Sequence, residues 1–186
     1  MVNEILTLLI TTITHIVTLL VVLRFLLQVV RADFYNPISQ FVVKATDPLL
    51  KPMRRIIPGL FGVDFPSVVL ALLVQIVGLM LLLALNGGFV FNIIAYLFYA
   101  VFGVVEVTLN FYFFAIVILI IVSWVAPGGH NPAALLLQQL VEPIMKPLRR
   151  VLPPMGGLDF SPMLVLFIIY ILREIIVPSM RASLGM

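Results

Sequence analysis

The sequence of 186 residues contains no cysteine and very little charge. Without cysteine, disulfide bonds, thiolate catalysis and cysteine-ligated zinc or iron–sulfur centres are excluded. Charged residues make up 10% of the chain, whereas a soluble domain carries roughly 25%. Hydrophobic residues make up 63%, and the mean hydropathy is +1.25. This composition leaves too little polar surface for a water-soluble globule and predicts an integral membrane protein.

The few charges and prolines are concentrated in two segments. Of the 11 basic and 8 acidic residues, 13 lie within residues 31–64 and 142–159. Twelve of the 13 prolines lie within residues 37–66 and 127–162. The pI of about 9.5 therefore reflects two local basic segments, and we expect no nucleic-acid partner.

An internal repeat with an offset of 95 residues organises the chain. Residues 47–65 and 142–160 are identical at 9 of 19 positions without a gap. The shared pattern is Pro-x-x-Lys-Pro-x-Arg-Arg-x-x-Pro followed by Gly-x-Asp-Phe, and Asn36-Pro37 recurs as Asn131-Pro132. Such self-similarity indicates two copies of one structural unit.

The repeat also fixes the number of membrane spans. A helix needs about 20 apolar residues to cross the bilayer, and hydropathy alone leaves four or five candidates. Applying the offset gives spans at 5–30, 66–85, 100–125 and 161–180, with basic loops at 31–65 and 126–160 and a short interfacial connector at 86–99. We therefore predict an all-α membrane protein with four transmembrane helices in two parallel tandem repeats, 1–90 and 91–186. Each repeat is a helix–amphipathic loop–helix unit.

The orientation follows from the basic residues. The two loops carry 8 of the 11 lysines and arginines, so the positive-inside rule places both loops in the cytoplasm and both termini outside. Arg173 and Arg181 near the C-terminus count mildly against this. The N-terminal apolar run lacks a basic start and is long, so we interpret it as a retained span rather than a signal peptide.

Each loop is expected to contain a short basic amphipathic helix. Asp47 and Glu142 precede prolines, which predicts acidic N-caps, with Pro52 early enough to cost little and Pro58 as the end. The expected cations are Lys51, Arg54, Arg55, Lys146, Arg149 and Arg150. The opposite face of the first copy would carry Leu49, Leu50, Met53, Ile56 and Ile57. Such a helix suits the headgroup layer of an anionic leaflet. It could dock lipid or a protein partner, or serve only to fix topology.

Polar residues within the spans are candidate functional groups. Depth along the helices predicts an ion pair between Glu106 and Arg173, either a structural clamp or part of a proton relay. The same arithmetic predicts a polar layer near the midplane, with His15 opposite Gln75 and Asn110 opposite Tyr170. No catalytic constellation, metal site or cofactor site is predicted from the sequence.

The twin motif resembles the YggT family, also called YlmG-like, in its two-repeat, four-span form. The signature positions are Asn36, Pro37, Pro48, Pro52, Arg54, Arg55, Pro58 and Asp64, with Asn131, Pro132, Pro143, Pro147, Arg149, Arg150, Pro153 and Asp159 in the second copy. The resemblance implies a protein of the bacterial inner membrane linked to osmotic-stress tolerance. Plastid and cyanobacterial relatives are linked to thylakoid biogenesis, cytochrome b6 maturation and nucleoid or division-site organisation. The resemblance implies no catalytic activity.

Two functions are therefore expected. The first is a non-enzymatic scaffold or assembly factor in envelope organisation, bound to anionic headgroups and to a membrane-protein partner or a second copy of itself. The alternative is an oligomeric ion or solute transport component, with the midplane polar layer along its path.

Overall fold

The computed structural model describes residues 1–57, 59, 63–88, 92–125, 131–151 and 159–183. Within these residues the chain forms long helices, which are α1 (Val2–Val29), α2 (Pro37–Ile56), α3 (Phe65–Leu85), α4 (Ile93–Val125), α5 (Pro132–Val151), α6 (Ser161–Ile171) and α7 (Val177–Ser183). A π-helical turn, Leu172–Ile176, joins α6 to α7. The motif residues Pro58 and Pro153 lie outside the described residues.

The structure confirms the all-helical fold with four candidate spans. Helices α1, α3 and α4 and the continuous segment Ser161–Ser183 are long and apolar enough to cross a membrane. The connector predicted at 86–99 is wrong in extent, because α4 begins at Ile93. At 33 residues, α4 is about 50 Å long, longer than the roughly 30 Å of bilayer hydrocarbon.

The basic segments form longer helices than the sequence predicted. Helices α2 and α5 each have 20 residues and begin at the proline of an Asn-Pro pair. Asn36 is the N-cap of α2, and its side-chain oxygen accepts a hydrogen bond from the Ile38 amide at 3.0 Å. Asn131 accepts from the Ala133 amide at 2.9 Å. The predicted caps at Asp47 and Glu142 are therefore wrong.

The repeated prolines lie inside these helices rather than near their starts. Pro48 and Pro52 are interior residues of α2, and Pro143 and Pro147 are interior residues of α5. The expectation that Pro52 falls early in its helix is therefore wrong. Prolines four residues apart lie on one face, and all four are exposed. Carbonyl groups that lose their amide donors there can bond to water or headgroups.

The two repeats share a core at the end of the bundle where α2 and α5 lie. Buried side chains from α1, α2, α4, α5 and α6 form one cluster that includes Val22, Val42, Ile116, Leu140 and Val165. Hydrogen bonds also join the halves: the Asn36 amide donates to the Pro132 carbonyl at 2.7 Å, and the Asp33 backbone amide donates to Gln139 Oε1 at 2.9 Å. The loop helices are therefore part of the packed structure.

Small residues allow close helix contacts in the other half of the bundle. A Cβ atom built on Gly78 of α3 would lie 2.5 Å from Thr14 Oγ1 and 2.7 Å from its Cγ2, on α1. A Cβ atom on Gly103 of α4 would meet the Gln75 side chain of α3. Membrane helices associate through such small-residue packing because lipid supplies no hydrophobic drive between them.

We expect Gly78→Val to separate α1 from α3 and to destabilise the protein by about 1–3 kcal/mol, as overpacking does. Rotation of Thr14 gives little relief, because both branches of its side chain face the added carbon. Thermal unfolding in detergent measures the effect. Gly88→Val is the matched control, since a Cβ atom added there meets nothing within 4 Å. Equal stability of the two variants would contradict the expected packing.

Candidate functional site: the basic helices and their salt bridges

A salt bridge ties each basic helix to the span that follows it. In the first repeat, Arg54 Nε donates to Asp64 Oδ1 at 3.3 Å, and Nη2 donates to Oδ2. In the second repeat, Arg149 Nε donates to Asp159 Oδ2 at 3.0 Å. Both pairs are ten residues apart in the chain. The repeated spacing in the sequence is therefore the spacing of a repeated contact.

The first of these bridges is the more buried. Asp64 is 5% exposed, and it also accepts a hydrogen bond from the Ser67 hydroxyl at 2.6 Å. In the second bridge, the side chains of Arg149 and Asp159 are 40% and 33% exposed, and Arg149 also pairs with Glu142 at 2.9 Å. Exposed pairs contribute about 0–1 kcal/mol, whereas an unpaired buried group costs about 1–3 kcal/mol.

The hydrogen bonds keep both carboxylates charged. Burial alone would raise the pKa of Asp64, but hydrogen bonds from Arg54 and Ser67 outweigh it and lower the pKa below its usual range. The same balance lowers the pKa of Asp159, with Ser161 and Arg149 as donors. A carboxylate with a lowered native pKa stabilises the fold fully at neutral pH. That contribution is lost only as the pH falls through the native pKa.

The remaining cations of the two helices point outward. Lys44, Lys51 and Arg55 of α2 are exposed and lie close to one line along the helix, as do Lys146 and Arg150 of α5. We call these five residues the cation row. Of the six predicted cations, Lys51, Arg55, Lys146 and Arg150 are exposed without a partner role in either bridge, whereas Arg54 and Arg149 pair within the protein. The role of the basic face stays a prediction.

Apolar side chains lie beside the cation row on α2. Leu50 is fully buried and Met53 partly buried, as expected for the inner face. Leu49 and Ile56 were expected on that face as well, but they are 48% and 82% exposed, and Phe41 is 62% exposed. A helix with both exposed cations and exposed apolar groups matches the headgroup layer of a bilayer.

The predicted pair of Glu106 with Arg173 is wrong. Glu106 accepts a hydrogen bond from Arg181 at 2.8 Å, while Arg173 donates to Asn110 at 2.9 Å and to Glu174 at 2.8 Å. The last helix continues to Ser183 through a π-helical turn, so Arg181 faces α4 as well. Arginine side chains are also long enough that residue depth alone does not determine their partners.

The predicted polar layer is not assembled either. Gln75 is buried, but its amide donates to Thr18 Oγ1 at 3.1 Å rather than to His15. Asn110 bonds to Arg173, and Tyr170 is exposed. His15 is exposed and shares a groove of about 310 Å³ with Asn110. For Gln75 and Asn110, the observed partner lies three residues from the predicted one. Depth read from the sequence is therefore too coarse to assign hydrogen bonds.

Sequence reasoning missed a charged cavity at the loop-side end of α1. Arg24, Arg31 and Ser39 line it together with the Arg54–Asp64 bridge. Arg24 reaches toward the loop side, where its Nη2 lies 3.7 Å from Asp47 Oδ1 of α2. One feature of the sequence points to this cavity. At the 95-residue offset, Arg24 and Ser39 correspond to Leu119 and Ala134, so the first repeat has two polar residues that the second lacks. Within the described residues, no group of three histidines or carboxylates could hold a metal ion.

These features define a multi-pass helical membrane protein whose two halves each contain two spans joined by a basic helix. The family model CCB3/YggT matches the chain in two segments, residues 3–85 and 98–180. Each bound of the second segment lies 95 residues after that of the first, consistent with two repeats. The chain belongs to the CCB3/YggT family. The boundary between residues 90 and 91 stays a prediction.

The relatives are bacterial proteins without an assigned activity. An uncharacterized protein of Pseudomonas aeruginosa is 44% identical over 172 residues, covering 90% of this chain and 86% of the relative. The uncharacterized protein YggT of Escherichia coli strain K12 is 33% identical over 182 residues, covering 96% and 92%. No solved structure matches the chain.

We expect the two bridges to differ in their contribution to stability. Asp64→Asn leaves Arg54 without its buried partner and should cost about 1–3 kcal/mol. Asp159→Asn, the matched change in the second repeat, should cost less than about 1 kcal/mol. Chemical or thermal unfolding in detergent measures both. An equal loss of stability in the two variants would show that the buried bridge contributes no more than the exposed one.

Proposed function

We propose that this protein is a non-enzymatic scaffold of the bacterial inner membrane that supports envelope organisation under osmotic stress. The observation that carries the proposal is the cation row, whose five members lie exposed on α2 and α5. The CCB3/YggT membership and the osmotic-stress link of the resemblance supply the physiological setting.

The contacts of the basic helices support a fixed docking platform. Each helix is tied to the next span through Arg54 or Arg149, and the two helices are joined through Asn36 and Pro132. A surface held in this way loses little conformational freedom on binding. The cation row is therefore suited to anionic headgroups or to an acidic face of a membrane-protein partner.

The position of the platform follows from its charge. Each exposed lysine or arginine near an anionic leaflet contributes about 1 kcal/mol to attraction. With five such residues in the cation row, we place α2 and α5 at the cytoplasmic surface and both termini outside. Exposed apolar residues such as Phe41 and Ile56 would enter the headgroup layer.

The alternative, a transport component, depends on a continuous polar layer near the midplane, and the described side chains do not form that layer. It requires His15, Gln75, Asn110 and Tyr170 to line one path, but Gln75 and Asn110 bond elsewhere and Tyr170 is exposed. We therefore carry forward the scaffold alone.

The test is complementation of a strain lacking this gene. Arg55→Gln with Arg150→Gln removes two equivalent members of the cation row without touching either salt bridge. We expect growth at high osmolarity to fall to that of the deletion strain, because the platform loses part of its attraction to its target.

Arg55→Lys with Arg150→Lys is the control, since it keeps the charge at both positions. Immunoblotting of membrane fractions shows whether each variant is inserted at the wild-type level. Full rescue by the glutamine variant at normal membrane levels would refute the proposed role of the cation row.

A further inference from the structure

A cavity of about 620 Å³ lies between the C-terminal end of α1, helix α2 and the start of α3. We call it the first-repeat cavity. Its charged and polar lining includes Arg24, Arg31, Ser39, Arg54 and Asp64, and its remaining walls are largely apolar. The volume lies within the range of about 300–1,000 Å³ that is typical of small-molecule sites.

The charges lining the cavity are unbalanced. In the described part of the chain, three arginines and one carboxylate line the cavity. That carboxylate, Asp64, already accepts a hydrogen bond from Arg54. Asp47 lies 3.7 Å from Arg24, but it also pairs with Lys51 at 3.1 Å. Arg24 and Arg31 are therefore incompletely neutralised. Clefts lined by one sign of charge concentrate ions of the opposite sign.

Two buried polar atoms at the cavity have no hydrogen-bond partner among the residues that the structure describes. They are Arg24 Nη1 and Ser39 Oγ. Arg24 is 14% exposed, and Ser39 is 3% exposed. Buried polar groups nearly always have a partner, because leaving one unpaired costs free energy. A guanidinium can only donate and a hydroxyl can donate, so one acceptor group between them would satisfy both.

The backbone at Arg31 adds an independent sign of function. Its φ of 53° lies in the left-handed region. At the C-terminus of α1, the Arg31 backbone amide donates to the Gln28 carbonyl at 3.1 Å, and the Ala32 backbone amide donates to the Leu27 carbonyl at 2.9 Å. Gly87 occupies the same position after α3, with a φ of 71°. Glycine is the usual residue there. An arginine in its place keeps a strained backbone in the wall of the cavity.

The second repeat has a matching cavity without these features. That cavity measures about 580 Å³ and is lined by Leu119 at the position equivalent to Arg24. Arg149, the one arginine among its described lining residues, is paired with both Glu142 and Asp159. Ser39 is replaced by Ala134. The repeated architecture therefore does not require the extra donors of the first repeat.

We propose that the first-repeat cavity binds a phosphate group, with Arg24, Arg31 and Ser39 donating hydrogen bonds to its oxygens. Phosphate is a polyvalent acceptor that arginine engages with charge-assisted hydrogen bonds. Ser39 lies in the first turn of α2, an end of the helix that favours anions. The phosphate could belong to an anionic lipid headgroup or to free phosphate. The site is separate from the cation row, so it stands apart from the scaffold function.

The test compares the full-length protein with the Arg31→Gly/Ser39→Ala double variant, both stripped of lipid in an uncharged detergent. These changes remove two donors while relieving the strained φ and breaking no described hydrogen bond. In the lipid arm, native mass spectrometry measures binding of phosphatidylglycerol against phosphate-free diacylglycerol with the same acyl chains. In the second arm, calorimetry measures binding of inorganic phosphate.

We expect wild-type protein to bind phosphatidylglycerol in preference to diacylglycerol, and the double variant to bind it roughly tenfold or more weakly. Inorganic phosphate binding that falls in parallel would identify free phosphate as a ligand, and binding confined to the lipid arm would identify the headgroup. Ser39→Ala alone is the control for charge, because it removes a donor of the cavity and no cation. It should also weaken binding of phosphatidylglycerol. Equal binding by wild type and double variant in both arms, or no loss with Ser39→Ala, would overturn the proposal.

Discussion

The structure depends on one contact made twice, between an arginine near the end of a basic helix and an aspartate ten residues later at the start of the next span. The contact determines where each basic helix lies relative to the bilayer-crossing helices. It also gives the two arginines of each adjacent pair different roles. Arg54 and Arg149 pair with carboxylates within the protein, while Arg55 and Arg150 stay exposed. A motif that looks uniformly basic in sequence therefore contains both structural and surface cations.

The two halves share this contact and differ in what surrounds it. In the first half, Gly78 packs against Thr14, and the loop-side cavity contains Arg24 and Ser39. In the second half, the residue equivalent to Gly78 is Arg173, which lies within a π-helical turn and donates a hydrogen bond to Asn110. Irregular turns of this kind often occur at functional sites. Among the described residues, the first cavity therefore contains arginines that are incompletely neutralised, whereas the second pairs its arginine with two carboxylates.

Much of the fold was predictable because its signals are local or repeated. A 95-residue offset and apolar runs of span length define the four spans. The Asn-Pro pairs also carry a recognisable N-cap signal, whereas the acidic residues before the later prolines lie inside α2 and α5. The partners of Glu106 and Gln75 were not predictable, because they depend on helix rotation and side-chain reach. The first-repeat cavity likewise requires three helix ends to meet.

The central claim is that the Arg54–Asp64 bridge holds α2 against α3. Because the chain has no cysteine, cysteines introduced at Ile56 and Leu73, which are 82% and 46% exposed, can be labelled selectively with nitroxide spin labels. Pulsed electron–electron double resonance then gives the distribution of distances between the two labels. We expect a single narrow distribution in the otherwise wild-type protein and a clearly broader or shifted one with Asp64→Asn. An unchanged narrow distribution in that variant would contradict the account.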